Sequence, residues 1–241
     1  MATTPAQLQA DLHRHGYAML DELIDADELI SLAQKLETNL ENSQDSSVLR
    51  SRGKMYGSRN LLATFPDIAN LLQSPALLKL VASILGPSAG LVRALYFDKT
   101  PGRTWSLPWH RDRTIAVKRN DFPSHQFHNP TVKAGIPHVE APDSVLTRML
   151  TLRFHVDPMI AENGPLSVIP GSHRTNQETT NAPVQLLANS GDILAMRPLL
   201  SHSSSLSSSK TDSHRRIIHF ELSPQPELPG GYEWHTFSRL Q

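Results

Sequence analysis

Two His-x-Asp pairs occur in the sequence, His110 with Asp112 and His155 with Asp157. Side chains two residues apart in a strand point the same way, so both members of such a pair can bind one metal ion. Two histidines and one carboxylate form the ligand set that holds Fe(II) on one face and leaves three positions open. The pair alone is weak evidence, since 12 histidines and 13 aspartates in 241 residues give about 0.65 pairs by chance.

A third ligand and an arginine favour the first pair. His202 lies 90 residues after Asp112 and is followed by Arg215 and Arg216 at the start of an apolar stretch. A guanidinium suits a carboxylate ligand because its planar fork donates two parallel hydrogen bonds. The second pair, His155 with Asp157, is followed directly by Pro158, and fewer residues separate it from a distal histidine than separate the first pair from His202. We therefore interpret His155 as a residue that faces the sheet or supports the site without binding metal.

The composition excludes several other kinds of site. The chain has no cysteine, which excludes disulfides, thiolate zinc sites and a cysteine nucleophile. Lys plus Arg (23) equals Asp plus Glu (23) and no basic run occurs, so neither nucleic acid nor a membrane is an expected partner. No signal-peptide pattern begins the chain, and no apolar run reaches the roughly 18 residues of a membrane span. We expect a cytoplasmic protein that binds a small-molecule substrate.

Helices are predicted in the first part of the chain, residues 1–90. Typical cap residues mark their ends, namely Thr4, Asp25 and Ser74 at N-termini and Gly16 and Gly86 at C-termini. The leucines of the second helix recur on one face, which is typical of a helix packed on a core.

The apolar pattern changes to short strands between residues 91 and 223. These runs are 91–97, 145–156, 166–169, 192–196 and 216–222, separated by Gly, Pro and Asn turns. Helices followed by many short strands predict an α+β fold with an antiparallel sandwich or jelly roll as its main body. We expect a single domain over residues 1–241, with 224–241 as a C-terminal tail.

Two segments do not fit a regular element. Residues 113–143 are long, proline-punctuated and mixed in polarity, which is typical of a functional or mobile loop. Residues 201–209 contain seven serines, which predicts a flexible connector.

Four longer stretches carry a family resemblance. They read LVRALYFDKTPGRTWSLPWHRDRTIAVK from residue 91, LTRMLTLRFHVDPMIAENGPLSVIPGSHR from 146, GDILAMRPLLSHSSS from 191 and SHRRIIHFEL from 213. Together with the N-terminal helices, they resemble the phytanoyl-CoA dioxygenase family of Fe(II)/2-oxoglutarate oxygenases. The resemblance implies a double-stranded β-helix, a cupin-like jelly roll, over residues 91–223 with flanking N-terminal helices.

The resemblance also implies a ligand set. His110, Asp112 and His202 would hold Fe(II), and Arg215 would pair with the distal carboxylate of 2-oxoglutarate. Arg215 lies thirteen residues after His202, farther than is common in the family, so Arg216 remains an alternative. Strand alternation lets only one of the two arginines face the site.

Further residues are assigned to the co-substrate pocket by the same resemblance. Ser204 and Leu95 match positions that contact 2-oxoglutarate, and Arg153 stands where relatives commonly carry a tryptophan. Lys99 and Tyr96 could line this pocket, or they could lie at the surface or the sheet edge.

The loop histidines and the tryptophan before the metal motif leave alternatives open. Trp109 could frame the entrance or anchor its loop. His138 could face substrate or join His125 and His128 in a second metal site, although scattered loop histidines are usually not ligands. We expect residues 113–143 to act as a lid.

The implied activity is a dioxygenase reaction. Such an enzyme uses Fe(II), 2-oxoglutarate and O₂ to hydroxylate an unactivated C–H bond of a small organic molecule, releasing succinate and CO₂. One alternative is a non-catalytic ligand-binding relative, which would not need the metal ligands and Arg215 together. Another is a cupin-type isomerase or hydrolase that uses its metal as a Lewis acid and would not need Arg215. The sequence predicts neither the substrate nor the oligomeric state.

Overall fold

The computed structural model describes residues 3–21, 23–100, 102–174, 181–209 and 211–240. The α-helices in these residues are α1 (Pro5–Arg14), α2 (Ala26–Asn42), α3 (Leu61–Thr64), α4 (Pro75–Leu85) and α5 (Asp143–Leu146). Short 3-10 helices span Pro66–Gln73, Ala161–Asn163, Ser172–Arg174 and Pro229–Gly231. The strands are β1 (Tyr17–Leu20), β2 (Val48–Ser51), β3 (Lys54–Ser58), β4 (Gly90–Lys99), β5 (Leu107–His110), β6 (Thr114–Ala116), β7 (His128–Lys133), β8 (Ile136–Glu140), β9 (Leu150–His155), β10 (Leu166–Val168), β11 (Val184–Gln185), β12 (Ile193–Met196), β13 (His202–Ser204), β14 (Arg215–Ser223) and β15 (Ser238–Arg239).

The three predicted helices begin at their predicted caps. The Thr4 hydroxyl accepts a hydrogen bond from the Gln7 backbone N at 3.2 Å, and the Asp25 carboxylate accepts one from the Glu28 backbone N at 3.0 Å. These bonds satisfy N–H groups that have no partner inside the helix. Helix α4 starts at Pro75, where a fixed φ and a missing N–H cost the first turn nothing.

One large antiparallel sheet carries the helices on its outer face. Its strand order is β1-β12-β9-β14-β4-β3-β2, and β15 also pairs with β4. Leu29, Leu36 and Leu40 of α2 are fully buried in the same cluster as Phe154 and Phe220 of the sheet. Those two rings meet edge to face, with centroids 5.2 Å apart. Burial of this apolar surface is the main force that fixes the helical layer.

A smaller sheet packs on the inner face of the large one. Its order is β11-β10-β13-β5. Leu166 and Val168 of β10 lie in one buried cluster with Leu194 and Met196 of β12. Two antiparallel sheets packed face to face with flanking helices confirm the predicted α+β jelly roll.

The segment 113–143 is not an irregular loop, as its composition had indicated. Strands β6, β8 and β7 form a three-stranded antiparallel sheet, which we call the lid sheet. The Asn120 side-chain amide donates to the carbonyls of Thr131 at 2.9 Å and His138 at 3.0 Å, tying the strands together. The strands are short, and β7 is almost wholly exposed, so they lack the apolar alternation that identifies a strand in sequence.

Three other expectations are corrected. The serine-rich segment contains β13, which lies between β10 and β5 and is therefore not a flexible connector. Residues 1–90 contain β1, β2 and β3 besides helices, because these short strands extend the edges of the large sheet. The run 145–156 begins in helix α5 and becomes extended only at Leu150.

Within the described residues, no single helix has the length and apolar character needed to cross a bilayer. Pro66–Gln73 and Pro75–Leu85 reach that length and composition together, but they meet at an angle of 86°.

Candidate metal centre

Two neighbouring strands of the small sheet bring the three predicted metal ligands together. His110 ends β5 and pairs in register with His202 of β13, and their ring centroids lie 4.2 Å apart. Asp112 follows β5, and its backbone N donates to the Pro198 carbonyl at 2.9 Å. One ligand atom from each of the three residues lies within 4.8 Å of the others.

Backbone carbonyls orient both imidazoles toward the carboxylate. The Nδ1 atom of His110 donates to the Pro108 carbonyl at 2.8 Å, and that of His202 donates to the Leu200 carbonyl at 2.8 Å. This bonding leaves each Nε2 as a bare acceptor, 3.7 and 3.6 Å from the carboxylate oxygens of Asp112. A hydrogen bond from the second nitrogen is the usual way in which a protein orients a metal-binding histidine.

The charge states at this cluster suit a cation. Burial lowers the pKa of His202 to about 4, although the Asp112 carboxylate opposes that shift. Burial raises the pKa of Asp112, but the surrounding basic side chains, His202 first among them, outweigh burial and lower it overall. At neutral pH the cluster therefore offers the neutral His202 imidazole and the Asp112 carboxylate, the forms that bind metal. The donor set and its orientation fit Fe(II) bound on one face.

A group of buried cations lies at one end of the inner face. Arg215 of β14 pairs in register with Lys99 of β4, and both are buried. No protein atom in the described residues accepts from the buried Arg215 Nε, and the same is true of the Arg153 Nε. Burial lowers the pKa of Arg215 to about 9, with Arg153 acting in the same direction. Such unpaired buried charge is costly until an anion enters.

Lys99 reaches the strand that carries the second histidine ligand. Its Nζ atom donates to the Ser205 carbonyl at 2.7 Å and lies 3.5 Å from the Ser204 hydroxyl. The same Nζ lies 5.4 Å from the centroid of the Trp105 ring. Burial lowers the pKa of Lys99 to about 7, and Arg215 and Arg153 lower it further.

Arg216 lies on the opposite face of β14 and is paired there. Its guanidinium binds both carboxylate oxygens of Asp157, at 2.9 and 2.7 Å, and contacts Glu37 of α2 at 3.4 Å. The Asp157 hydrogen bonds, together with that carboxylate's charge, raise the pKa of Arg216 despite burial. The second His-x-Asp pair therefore does not act as a unit. Asp157 binds Arg216, whereas both ring nitrogens of His155 are buried without a hydrogen-bond partner in the described residues.

The remaining pocket predictions are divided between the two faces. Leu95 is buried on the inner face, opposite His219 in the β4–β14 register. Tyr96 points into the helix-covered core, and its hydroxyl bonds the Glu37 carboxylate. The structure therefore does not bring Tyr96 to the inner-face site.

Trp109 and His138 lie in different environments. Trp109 is 44% exposed on β5 next to His110, whereas His138 of the lid sheet is only 1% exposed. His125 and His128 are exposed. Apart from His110, Asp112 and His202, the described part of the chain contains no group of three or more potential metal ligands close enough to share an ion.

Sequence reasoning considered His219 with Glu221 as a metal pair, set the pair aside, and so did not assign this buried histidine to the site. His219 is 6% exposed and stands opposite Arg153 in the β14–β9 register. Burial lowers its pKa to about 3, and Arg153 adds to that shift. The signal was present in the alternation of β14, since His219 lies four residues after Arg215 and so shares its face.

Comparisons with known proteins give the family and the fold. Residues 12–217 match the family model described as Phytanoyl-CoA dioxygenase (PhyH). No curated protein matches the chain. The structure of AviO1 from Streptomyces viridochromogenes Tue57 is similar, with 23% identity, a TM-score of 0.65, and 95% of this chain and 99% of that one covered. EctD from S. alaskensis, solved with 2-oxoglutarate and 5-hydroxyectoine, has 18% identity and a TM-score of 0.70, covering 92% of this chain and 78% of EctD.

Proposed function

The chain belongs to the phytanoyl-CoA dioxygenase family of non-haem iron, 2-oxoglutarate-dependent enzymes, and we propose that this member hydroxylates an unactivated C–H bond of a small organic molecule. One observation carries the proposal. The two-histidine, one-carboxylate cluster shares the interior between the two sheets with a buried arginine whose Nε has no protein partner among the described residues. Membership of an enzyme family favours catalysis over the non-catalytic alternative, and the arginine favours a co-substrate acid over Lewis-acid chemistry alone.

We assign the metal to His110, Asp112 and His202. The chemistry that Fe(II) and 2-oxoglutarate supply when bound is oxidative, since with O₂ they remove hydrogen from an aliphatic carbon while 2-oxoglutarate becomes succinate and CO₂. The chain's own contribution is orientation, because the carbonyl hydrogen bonds at Nδ1 keep both Nε2 atoms aimed at one point.

We assign the co-substrate's distal carboxylate to Arg215. Its planar fork can bind both oxygens of a carboxylate, and its Nε is free to do so among the described contacts. Lys99 would add a second positive charge and Ser204 a hydroxyl donor, while Leu95 lies farther along the same face of β4, opposite His219. Arg153 would supply a third cation, since it stands opposite His219 on the inner face and acts on the pKa values of both Arg215 and Asp112.

The lid sheet would exclude water from the reacting atoms. It begins directly after the metal-binding segment, where the Arg113 carbonyl accepts from the Ala141 backbone N at 3.0 Å and closes the base of the sheet. A dry site directs the oxidant to the substrate and not to solvent or free reductant. The exposed Trp109 would lie at the entrance.

The fold supports more than one outcome of hydrogen removal. SnoN is titled a non-heme alpha ketoglutarate dependent epimerase and SnoK a carbocyclase, both from nogalamycin biosynthesis, with TM-scores of 0.66 and 0.67 and identities of 17% and 15%. The match to SnoN covers 98% of this chain and 95% of SnoN, and the match to SnoK covers 96% of this chain and 92% of SnoK. A test of hydroxylation must therefore follow the oxygen atom.

The test uses isotopically labelled O₂. The full chain is supplied with Fe(II), 2-oxoglutarate and a panel of small organic acids, amines and alcohols, and succinate release identifies the substrate. We expect one labelled oxygen atom in succinate and one in the organic product. The Asp112→Ala variant should release no succinate. Labelled succinate with an unlabelled product would indicate epimerisation or ring closure in place of hydroxylation. A chain that consumes no 2-oxoglutarate with any compound of the panel would contradict the proposal.

A further inference from the structure

The inner face of β4 and β14 continues past the metal centre, away from Arg215. Alternation places Glu221 two residues beyond His219, opposite Arg93 of β4. The Arg93 Nη1 donates to the Glu221 carboxylate at 3.1 Å, and the two side chains are 11% and 13% exposed. Burial raises the pKa of Glu221, and the nearby Arg93 opposes that shift. This pair therefore lies beyond His219 as seen from Arg215, the residue to which we assign the co-substrate's distal carboxylate.

Two further cations approach the same place from different elements. Arg59 follows β3, whose last residue Ser58 pairs with Tyr96 of β4, and its guanidinium has no hydrogen bond or ion pair among the described residues. Lys133 ends β7 of the lid sheet, and its Nζ donates to the Thr114 hydroxyl at 2.9 Å. Burial lowers the pKa of Lys133, the charges of Arg93 and Arg59 lower it further, and those of Glu221 and Asp112 oppose the shift.

A buried histidine supplies an independent sign of a missing ligand. His138 of β8 is 1% exposed, and its Nε2 has no hydrogen-bond partner among the described residues. Its Nδ1 donates to the Ile136 carbonyl at 2.9 Å, which leaves Nε2 as an acceptor. Burial lowers the pKa of His138 to about 4, and Arg93 and Lys133 add to that shift, so the ring is neutral at pH 7. A buried acceptor of this kind requires an O–H or N–H group.

The charges do not balance within the protein. Arg59, Arg93 and Lys133 carry three positive charges and Glu221 carries one negative charge, which leaves a net charge of +2 on these four residues if all are ionised. The Asp112 carboxylate also acts on Lys133, but we assign it to the metal. Cations from the large sheet and from the lid sheet repel one another unless an anion lies between them.

We propose, on the basis of the oxygenase function above, that Arg59, Arg93 and Lys133 form an anion subsite for the substrate. The substrate is then an organic anion, a carboxylate or a phosphate ester, that also presents a hydroxyl or amino hydrogen to the Nε2 of His138. Because Lys133 belongs to the lid sheet and Arg93 to the large sheet, the bound anion also joins the lid sheet to the large sheet.

The subsite is tested with simple anions on the isotope-labelled full chain, saturated with 2-oxoglutarate so that the Arg215 end is filled. Acetate, phosphate and sulfate are titrated separately while the NMR signals of the Arg59 and Arg93 side chains and of Lys133 are followed. We expect saturable shifts at these residues, with affinity about tenfold weaker in Arg59→Met and in Lys133→Met. Lys54→Met, which removes an exposed cation on β3, is the matched control and should bind as the wild type does.

The three anions separate the sources of the charge. Tightest binding of acetate indicates a carboxylate substrate, and tightest binding of phosphate indicates a phosphate ester. NMR shifts that fail to saturate with anion, or an anion affinity in Arg59→Met and Lys133→Met equal to that of the wild type, would overturn the proposal. The spectra report whether each variant is folded. Binding of 2-oxoglutarate is measured in the same samples, so a failure of the proposed function shows there and leaves the anion titration interpretable.

Discussion

Arg215 and Arg216 are neighbours in the chain with opposite environments. Arg215 faces the inner side of the barrel without a partner for its Nε among the described residues, and Arg216 is held by Asp157 and Glu37 on the helical side. Alternation along a strand predicts from the sequence that only one of them faces the site. It does not predict which one, because the register of β14 against β4 and β9 sets the face, and that register depends on residues far away in sequence.

Lys99 should make co-substrate binding depend on pH. Its folded pKa is lowered to about 7, chiefly by burial and then by Arg215 and Arg153, so Lys99 is charged below about pH 7 and neutral above it. Affinity for the 2-oxoglutarate dianion should be constant below that pH and fall as the pH rises through it. Calorimetric titration from about pH 6 to 9 measures this.

The matched control for Lys99 is Lys99→Met. The variant should bind 2-oxoglutarate more weakly at pH 6 and lose most of the pH dependence. An unchanged pH profile in the variant would show that another group controls binding.

Arg216→Ala should cost stability and spare the site. The change leaves the partly buried Asp157 carboxylate without its bidentate partner, which should lower the free energy of unfolding by about 2 kcal/mol. Urea unfolding measures the loss, and calorimetry should show unchanged 2-oxoglutarate affinity. A weakened affinity with full stability would reverse the assignment of the two arginines.

Among the elements, the helices were the most predictable from sequence and the lid sheet the least. Local hydrogen bonds define a helix start, so Thr4 and Asp25 identify α1 and α2 without knowledge of the rest of the chain. The strands of the lid sheet are stabilised by their pairing with one another and by the Asn120 amide, which no local pattern shows. Short β1 and β13 were missed for the same reason, since distant strands pair with them.

Asn120→Ala should loosen the lid sheet. The change removes two hydrogen bonds to backbone carbonyls of β7 and β8, together about 1–2 kcal/mol of local stability. Hydrogen exchange should become faster across residues 114–140, and more 2-oxoglutarate should be consumed per product formed. Asn42→Ala, which removes a similar bond at the end of α2, is the control and should change neither. Equal coupling in both variants would contradict a role for the lid sheet in excluding water.

At the scale of the whole molecule, stability and chemistry use opposite faces of one sheet. The outer face of the large sheet packs on α2 and α4 through buried leucines and aromatic rings, and the inner face carries Lys99, Arg215 and His219. We propose that residues 1–241 act as one domain because the helical layer and the site share these strands.

Leu36→Ala should lower stability without changing the site on the inner face. Leu36 of α2 is fully buried, so truncation should lower the free energy of unfolding by about 2–5 kcal/mol through lost burial and a cavity. Chemical denaturation measures this loss. The 2-oxoglutarate affinity of the folded variant should equal that of the wild type, whereas a parallel loss of affinity would show that the helical layer positions the site directly.

The most direct test of the central claim is the visible charge-transfer band that forms when Fe(II) and 2-oxoglutarate bind together without oxygen. We predict the band in the wild type and in Arg216→Ala, its absence in Asp112→Ala, and in Arg215→Ala a need for about 100-fold more 2-oxoglutarate. Folded wild-type protein that forms no band, or an Arg215→Ala variant that forms it at the wild-type concentration, would contradict the account.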